Sequence, residues 1–134
     1  MNRIKLFLNR NNESFLLDAI RYEDYDTKNR ILTYASKKLK SDSNFMIKVV
    51  KIAPYLVEYA SNELKGSKDF MNEVAKQDGF YAVKYCNKVL SDDRDYVYSA
   101  ISSGKFAHGF RYVSDRLRMN EDVSVFREAY RIKF

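Results

Sequence analysis

The sequence predicts an all-α fold: a solenoid-like stack of four to five two-helix repeats of about 25–27 residues. Three observations predict it. One pattern recurs four times, as Tyr34-Ala35-Ser36-x-x-Leu39, Tyr59-Ala60-Ser61-x-x-Leu64, Tyr85-Cys86-Asn87-x-x-Leu90 and Tyr112-Val113-Ser114-x-x-Leu117. The tyrosines are spaced by 25, 26 and 27 residues, and a fixed period of this size marks tandem structural units. Six residues after each leucine stands an apolar residue, namely Phe45, Phe70, Tyr96 and Val123. Finally, 46% of the 134 residues are hydrophobic while only 4 are Gly and 1 is Pro, so the chain has material for a core and few breakers.

The elements follow in order. Residues 1–12 read as a cap, because Met1 to Leu8 is apolar enough to cover the first repeat. Four repeats are expected at about 13–40, 41–66, 67–91 and 92–119, with a partial unit at 120–134, all in a single domain. Within each, a first helix (A) opens on polar or acidic residues such as Ser41-Asp42, Lys68-Asp69 and Ser91-Asp92-Asp93, which suit an N-cap and the positive end of the helix dipole. Phe45, Val49 and Ile52 then fall on one helical face. Turns follow at Ala53-Pro54, Asp78-Gly79 and Ser103-Gly104, with Pro54 suited to the first turn of the next helix. The second helix (B) carries Leu56, Tyr59, Ala60 and Leu64 as an amphipathic stripe, and Gly66 is placed to end it as a left-handed C-cap. Helices of about ten residues are marginal alone, so stacking must supply their stability. In the first repeat, Tyr22 to Asp26 is an insertion, read as a longer acidic turn. The last repeat lacks a B helix, which leaves an A-helix face open to edge-to-edge homodimerisation.

The strings Leu56-Val-Glu-Tyr-Ala-Ser-Asn-Glu-Leu64 and Phe70-Met-Asn-Glu-Val-Ala-Lys76 resemble a family of short two-helix repeats from bacterial, phage-related and giant-virus proteins, known as a domain of unknown function. The resemblance is best from about Asp42 to Leu90 and covers roughly three-quarters of the chain. The fourth repeat departs from it at His108-Gly109-Phe110, and the first departs through its long turn. The resemblance implies a helical-repeat fold and carries no catalytic motif, so it implies no activity.

No apolar run approaches the length of a membrane span, and no signal peptide is read at the start, so no membrane partner is expected. A single Cys86 excludes an internal disulfide and fits a reducing, cytoplasmic setting. One His and one Cys exclude a His/Cys metal site, and no cofactor motif is present. His108 has no partner for general-base chemistry among its sequence neighbours. Cys86 stands in the small-residue slot of its repeat, where a thiol acts as a small hydrophobe. Asp92-Asp93-x-Asp95 lacks the Gly and distal Glu of a calcium loop and reads as capping. The expectation is therefore a protein without catalytic residues.

Charge separates by helix type. The formal net charge is +6. The expected B spans, 28–40, 56–65, 82–90 and 108–118, total +8, whereas the A spans total −5. A basic face is expected from Lys37, Lys38, Lys40, Lys84, Lys88, Arg111, Arg116 and Arg118. Part of that pattern is helix-dipole complementation, as at Lys40 and Arg118. The repeat tyrosines share a stripe with the leucines and are read as packed. Tyr22, Tyr25, Tyr55, Tyr81, Tyr98 and Phe106 are less constrained, and turn aromatics such as Tyr55 and Tyr81 suit the anchors of a protein interface. The reading is a non-enzymatic protein-binding module, an adaptor or inhibitor of phage or host-defence type. The alternative is a nucleic-acid-binding repeat protein using the basic face.

Overall fold

A computed structural model describes residues 1–106 and 108–119. Every regular element among them is helical. In chain order these are α1 (Arg3–Leu8), α2 (Glu13–Tyr22), α3 (Tyr25–Tyr34), α4 (Lys37–Lys40), α5 (Ser43–Ile52), a 3₁₀ segment (Pro54–Tyr59), α6 (Asn62–Lys65), α7 (Lys68–Gln77), α8 (Gly79–Tyr85), α9 (Lys88–Ser91), α10 (Arg94–Ser102), a second 3₁₀ segment (Gly109–Tyr112) and α11 (Asp115–Arg118). The expected partial repeat at 120–134, with Val123 and the homodimer contact through it, lies outside the described residues.

The A helices are α2, α5, α7 and α10, and each begins the same way. Asn12, Asp42, Ser67 and Asp93 have extended backbones, and their side chains accept the amide three residues on, from Phe15, Phe45, Phe70 and Tyr96. This satisfies an amide that the first turn would otherwise leave unpaired. In the third repeat the cap is thus Ser67, one residue before the expected Lys68-Asp69. The capped aromatics Phe45, Phe70 and Tyr96 are buried, as are Met46, Met71 and Val97 beside them.

The second helix of each repeat departs from the expectation of one continuous B helix. It breaks after the repeat tyrosine. Ala35, Ala60, Cys86 and Val113 adopt ψ values of 142°, 150°, 163° and 145°, extended rather than helical. The next residue then caps a short helix of four residues: Ser36, Ser61, Asn87 and Ser114 accept the amides of Leu39, Leu64, Leu90 and Leu117. Their own amides leave the helical ladder and donate to carbonyls at the end of the preceding segment, Ser36 to Arg10 (2.9 Å), Ser61 to Lys40 (2.9 Å), Asn87 to Lys65 (3.1 Å) and Ser114 to Ser91 (3.0 Å). The break has a physical cause: an amide committed elsewhere cannot continue the i→i−4 ladder. The conserved spacing within the chain is the spacing of this cap.

Two further expectations are corrected. Tyr22 to Asp26 forms no long turn. Only Glu23 and Asp24 separate α2 from α3, Asp24 caps α3, and the insertion lengthens α3 to 10 residues against 6 in Pro54–Tyr59 and 7 in α8. Nor does Gly66 take a left-handed conformation. Among the described residues, positive φ occurs at Gly104 (81°), in the expected turn, and at His108 (63°).

The chain divides into two compact units, Met1–Leu64 and Lys65 onward. In the first, α2 packs on α3 and α5, the 3₁₀ segment packs on α3 and α5, and α1 lies on α3. Leu16, Ile20, Ile31, Leu32, Phe45, Met46 and Leu56 fill this core. The cap is lighter than expected, since of its apolar side chains only Leu6 is buried in α1, while Ile4, Phe7 and Leu8 are exposed. In the second unit, α8 packs on α7, α10 and Gly109–Tyr112, and α7 packs on α10. Gly79 is buried where α8 meets α10. A Cβ there would stand 2.0 Å from the Ala100 carbonyl oxygen, so the glycine serves close approach and not a turn.

Candidate functional site

In the first unit, the junction of α2 and α3 displays aromatic surface. Tyr22 closes α2 and is 86% exposed, while Tyr25 opens α3 and is 63% exposed. The half-buried Tyr55, one residue into its 3₁₀ segment, packs its ring 4.9 Å from that of Tyr25 at 40°. The cap at Asp24 fixes this geometry. Its carboxylate accepts the Thr27 amide at 2.8 Å, and that bond holds the Asp24 pKa below the usual carboxylate value. Behind the pair, Tyr59 donates its hydroxyl to Asn29 at 2.8 Å.

The second unit carries an aromatic cluster on α8 and the segment Gly109–Tyr112. Tyr81 lies parallel to Tyr85 (6.2 Å, 4°), Phe80 meets Tyr81 edge-on (5.0 Å, 79°), and Phe80 meets Tyr112 edge-on (5.9 Å, 76°). Two cations sit on these rings. The Lys84 ammonium is 5.2 Å from the Tyr85 centroid and 5.8 Å from that of Phe80, and the Arg111 guanidinium is 6.0 Å from that of Tyr112. The expected site residues Tyr81, Lys84 and Arg111 are therefore brought into one cluster.

The remaining members of the expected basic face are not alike. Lys37 and Lys38 open α4, are exposed, and make no ion pair with a described residue. Lys88 opens α9 and is likewise exposed. Lys40 is half-buried, approaches the Thr33 carbonyl at 3.5 Å, and has its pKa lowered first by desolvation and then by Lys37. Arg116 is committed to Asp92, through Nε to Oδ1 at 3.0 Å and Nη2 to the main-chain carbonyl at 2.7 Å. The Ser114 hydroxyl donates to the same carboxylate at 2.6 Å, and Ser114 and then Arg116 hold the Asp92 pKa down. Arg118 pairs with Asp115. Arg116 and Arg118 are thus each engaged with a carboxylate of the chain.

Asp93 caps α10 and pairs with Lys68 at 3.0 Å; burial opposes its charge, but Lys68 and the Tyr96 amide prevail and lower its pKa. The Cys86 thiol donates weakly to the Val83 carbonyl at 3.5 Å, and burial pushes its pKa to about 11, away from thiolate reactivity. His108 is exposed and precedes the second 3₁₀ segment. Phe106, expected on a turn and available, is instead 1% exposed and packs edge-on against Phe110 at 4.9 Å. No cluster of three or more potential metal ligands is present among the described residues. No described helix is long and apolar enough to cross a membrane.

One feature escaped the sequence reading. Between α7 and α10 runs a cleft of about 780 Å³, with Asp69, Asn72, Glu73 and Lys76 on one wall and Ser99 and Ser102 of α10 with the following Ser103 on the other. The Asn72 Oδ1 atom is shielded from solvent and has no hydrogen-bond partner among the described residues. Its register carried the signal. Five residues past the A-helix cap, the other repeats have Leu17, Ile47 and Tyr98.

Residues 12–65 match a family model described as "Domain of unknown function (DUF4116)". The match runs from the cap of α2 to the end of α6 and so includes the first repeat, which the sequence reading set apart. No curated protein and no solved structure matches the chain.

Proposed function

We propose that this chain is a non-enzymatic protein-binding module, an adaptor or inhibitor, whose repeats stack as a solenoid and present variable side chains on a fixed frame. The observation that carries this reading is the Tyr22–Tyr25–Tyr55 surface. Large aromatic side chains held by an N-cap and a ring contact lose little conformational entropy on binding, and such residues supply a disproportionate share of interface energy. The expected distribution of the resembled family in phage-related proteins favours a phage-type or host-defence-type inhibitor as the concrete form. Affinity capture with the wild-type chain and with the Tyr25→Ala/Tyr55→Ala variant, both after nuclease digestion, tests it. A discrete protein retained by the first and lost from the second supports the reading. Capture indifferent to both tyrosines refutes it.

A second reading, nucleic-acid binding, is favoured by the α8 cluster, because cations seated over tyrosine and phenylalanine rings are the ingredients of a single-strand platform. Lys84→Ala and Arg111→Ala should then each lower the salt dependence of oligonucleotide binding by about one phosphate contact. An unchanged slope rejects it.

A further inference from the structure

Helix α1 turns most of its apolar surface away from the protein. Ile4, Phe7 and Leu8 stand at i, i+3 and i+4, which places them on one face, and they are 69%, 52% and 72% exposed. Leu6 is the buried residue of this helix. A surface helix ordinarily buries its apolar stripe and exposes its polar face, and here the stripe lies outward. Exposed apolar patches rimmed by polar residues mark contact sites.

The rim of this stripe is cationic on both sides. With about 100° between successive residues, Arg3 falls beside one edge of the stripe and Lys5 beside the other, and both are exposed. Arg10 follows the C-cap Asn9, with its guanidinium 4.1 Å from the Phe7 ring centroid and its Nη1 donating to the Phe7 carbonyl at 2.8 Å. Residues 1–12 hold these three cations and no Asp or Glu. None of the three pairs with a carboxylate of a described residue. Acids on the neighbouring elements are already balanced. On α3, which α1 packs against, Lys28 and Arg30 offset Asp26 and the capping Asp24. On α2, Glu13 bonds Lys48 at 2.9 Å and Asp18 bonds Arg21 at 3.3 Å.

An apolar stripe between cations meets its full complement on an anionic lipid surface, where acyl chains take the stripe and phosphates take the rim. Lys and Arg stems lie along apolar surface while their heads stay in the phosphate layer. The stripe itself has no hydrogen-bonding side chain with which to select the polar groups of a particular protein. A second copy fits badly, since stripes laid face to face bring the cations of one copy against those of the other. A contact of this kind lies on a membrane without crossing it, so it needs no helix of spanning length.

We infer that α1 docks the chain on an anionic lipid bilayer, with Ile4, Phe7 and Leu8 entering the interface and Arg3, Lys5 and Arg10 contacting lipid phosphates. This contact is additional to protein binding and does not rest on it.

The test is sedimentation of the full chain with vesicles of phosphatidylcholine alone, or with about 30% phosphatidylserine, at low and high salt. The chain should sediment with the phosphatidylserine vesicles, stay in solution with phosphatidylcholine, and be released as salt rises. Phe7→Ser/Leu8→Ser alters exposed positions, so Tm should be nearly unchanged while vesicle affinity falls at least about tenfold. Arg3→Gln/Lys5→Gln should lower it by about tenfold as well. Lys37→Gln/Lys38→Gln, the same charge change at the exposed start of α4, should lower it less than about threefold. Wild type that ignores phosphatidylserine vesicles overturns the inference. So does binding weakened equally by the α1 and α4 charge pairs, which is the general attraction of a chain of net charge +6. Self-association or capture of an acidic protein through Phe7 and Leu8, without vesicle binding, assigns the stripe elsewhere and overturns it too.

Discussion

Replacing Tyr96 by Phe isolates one hydroxyl. Tyr96 is fully buried in α10, and its O–H donates to the Ala82 carbonyl of α8 at 2.5 Å. The three other repeats place Phe15, Phe45 and Phe70 in the same slot, three residues past the A-helix cap, so a phenylalanine ring fits the position without strain. The substitution therefore creates almost no cavity and leaves one buried carbonyl short of its partner. Stranding such a group costs about 1–3 kcal/mol, and about 2 kcal/mol is expected here. At about 4 °C per kcal/mol for a chain of this size, Tm should fall by about 8 °C. Urea unfolding followed by circular dichroism reads the change directly, as a lower midpoint with an unchanged slope. A loss below about 0.5 kcal/mol refutes the assignment of the α8–α10 contact to this bond.

The other expectations follow from equally local features. Gly79→Ala should cost about 3 kcal/mol or more in the same assay, because its Cβ meets backbone at Ala100 that cannot step aside; a change under about 1 kcal/mol refutes the close approach. Ser36→Ala and Ser61→Ala should each cost about 1 kcal/mol through loss of the cap on α4 and α6 while the backbone bonds to Arg10 and Lys40 persist. Cys86 has a folded pKa raised from 9.0 to about 11, so its contribution is intact below pH 9 and is lost as pH rises through 11. Stability should fall across that window, less steeply in Cys86→Ala, and alkylation of the native thiol at pH 8 should be slow.

The repeat was legible because its spacing is a capping requirement. Each Ser or Asn after the small residue must stand three residues before a buried Leu to accept its amide, and that demand survives changes elsewhere in the repeat. The break in the second helix was hidden for a related reason. Leu56, Tyr59, Ala60 and Leu64 keep a helical spacing across a residue with extended backbone, so periodicity alone reads through it. The insertion at Tyr22 to Asp26 looked like a turn because it is acidic, but Asp24 is a cap, and caps lengthen helices. The Arg116–Asp92 pairing was not legible because Asp92 stands 24 residues away, a distance over which sequence shows no pairing. Asn72 was visible only once the A helices were aligned on their caps, which required knowing that Ser67 caps α7.

The central claim, that the chain works by binding a protein through aromatic side chains on a repeat frame, is tested most directly by nuclease-treated affinity capture. Wild type and the Tyr25→Ala/Tyr55→Ala variant should be run side by side, each first shown to unfold at the same temperature. The account expects one protein retained by wild type and absent from the variant. A partner retained equally by both, or a complex that disappears on nuclease treatment, contradicts it.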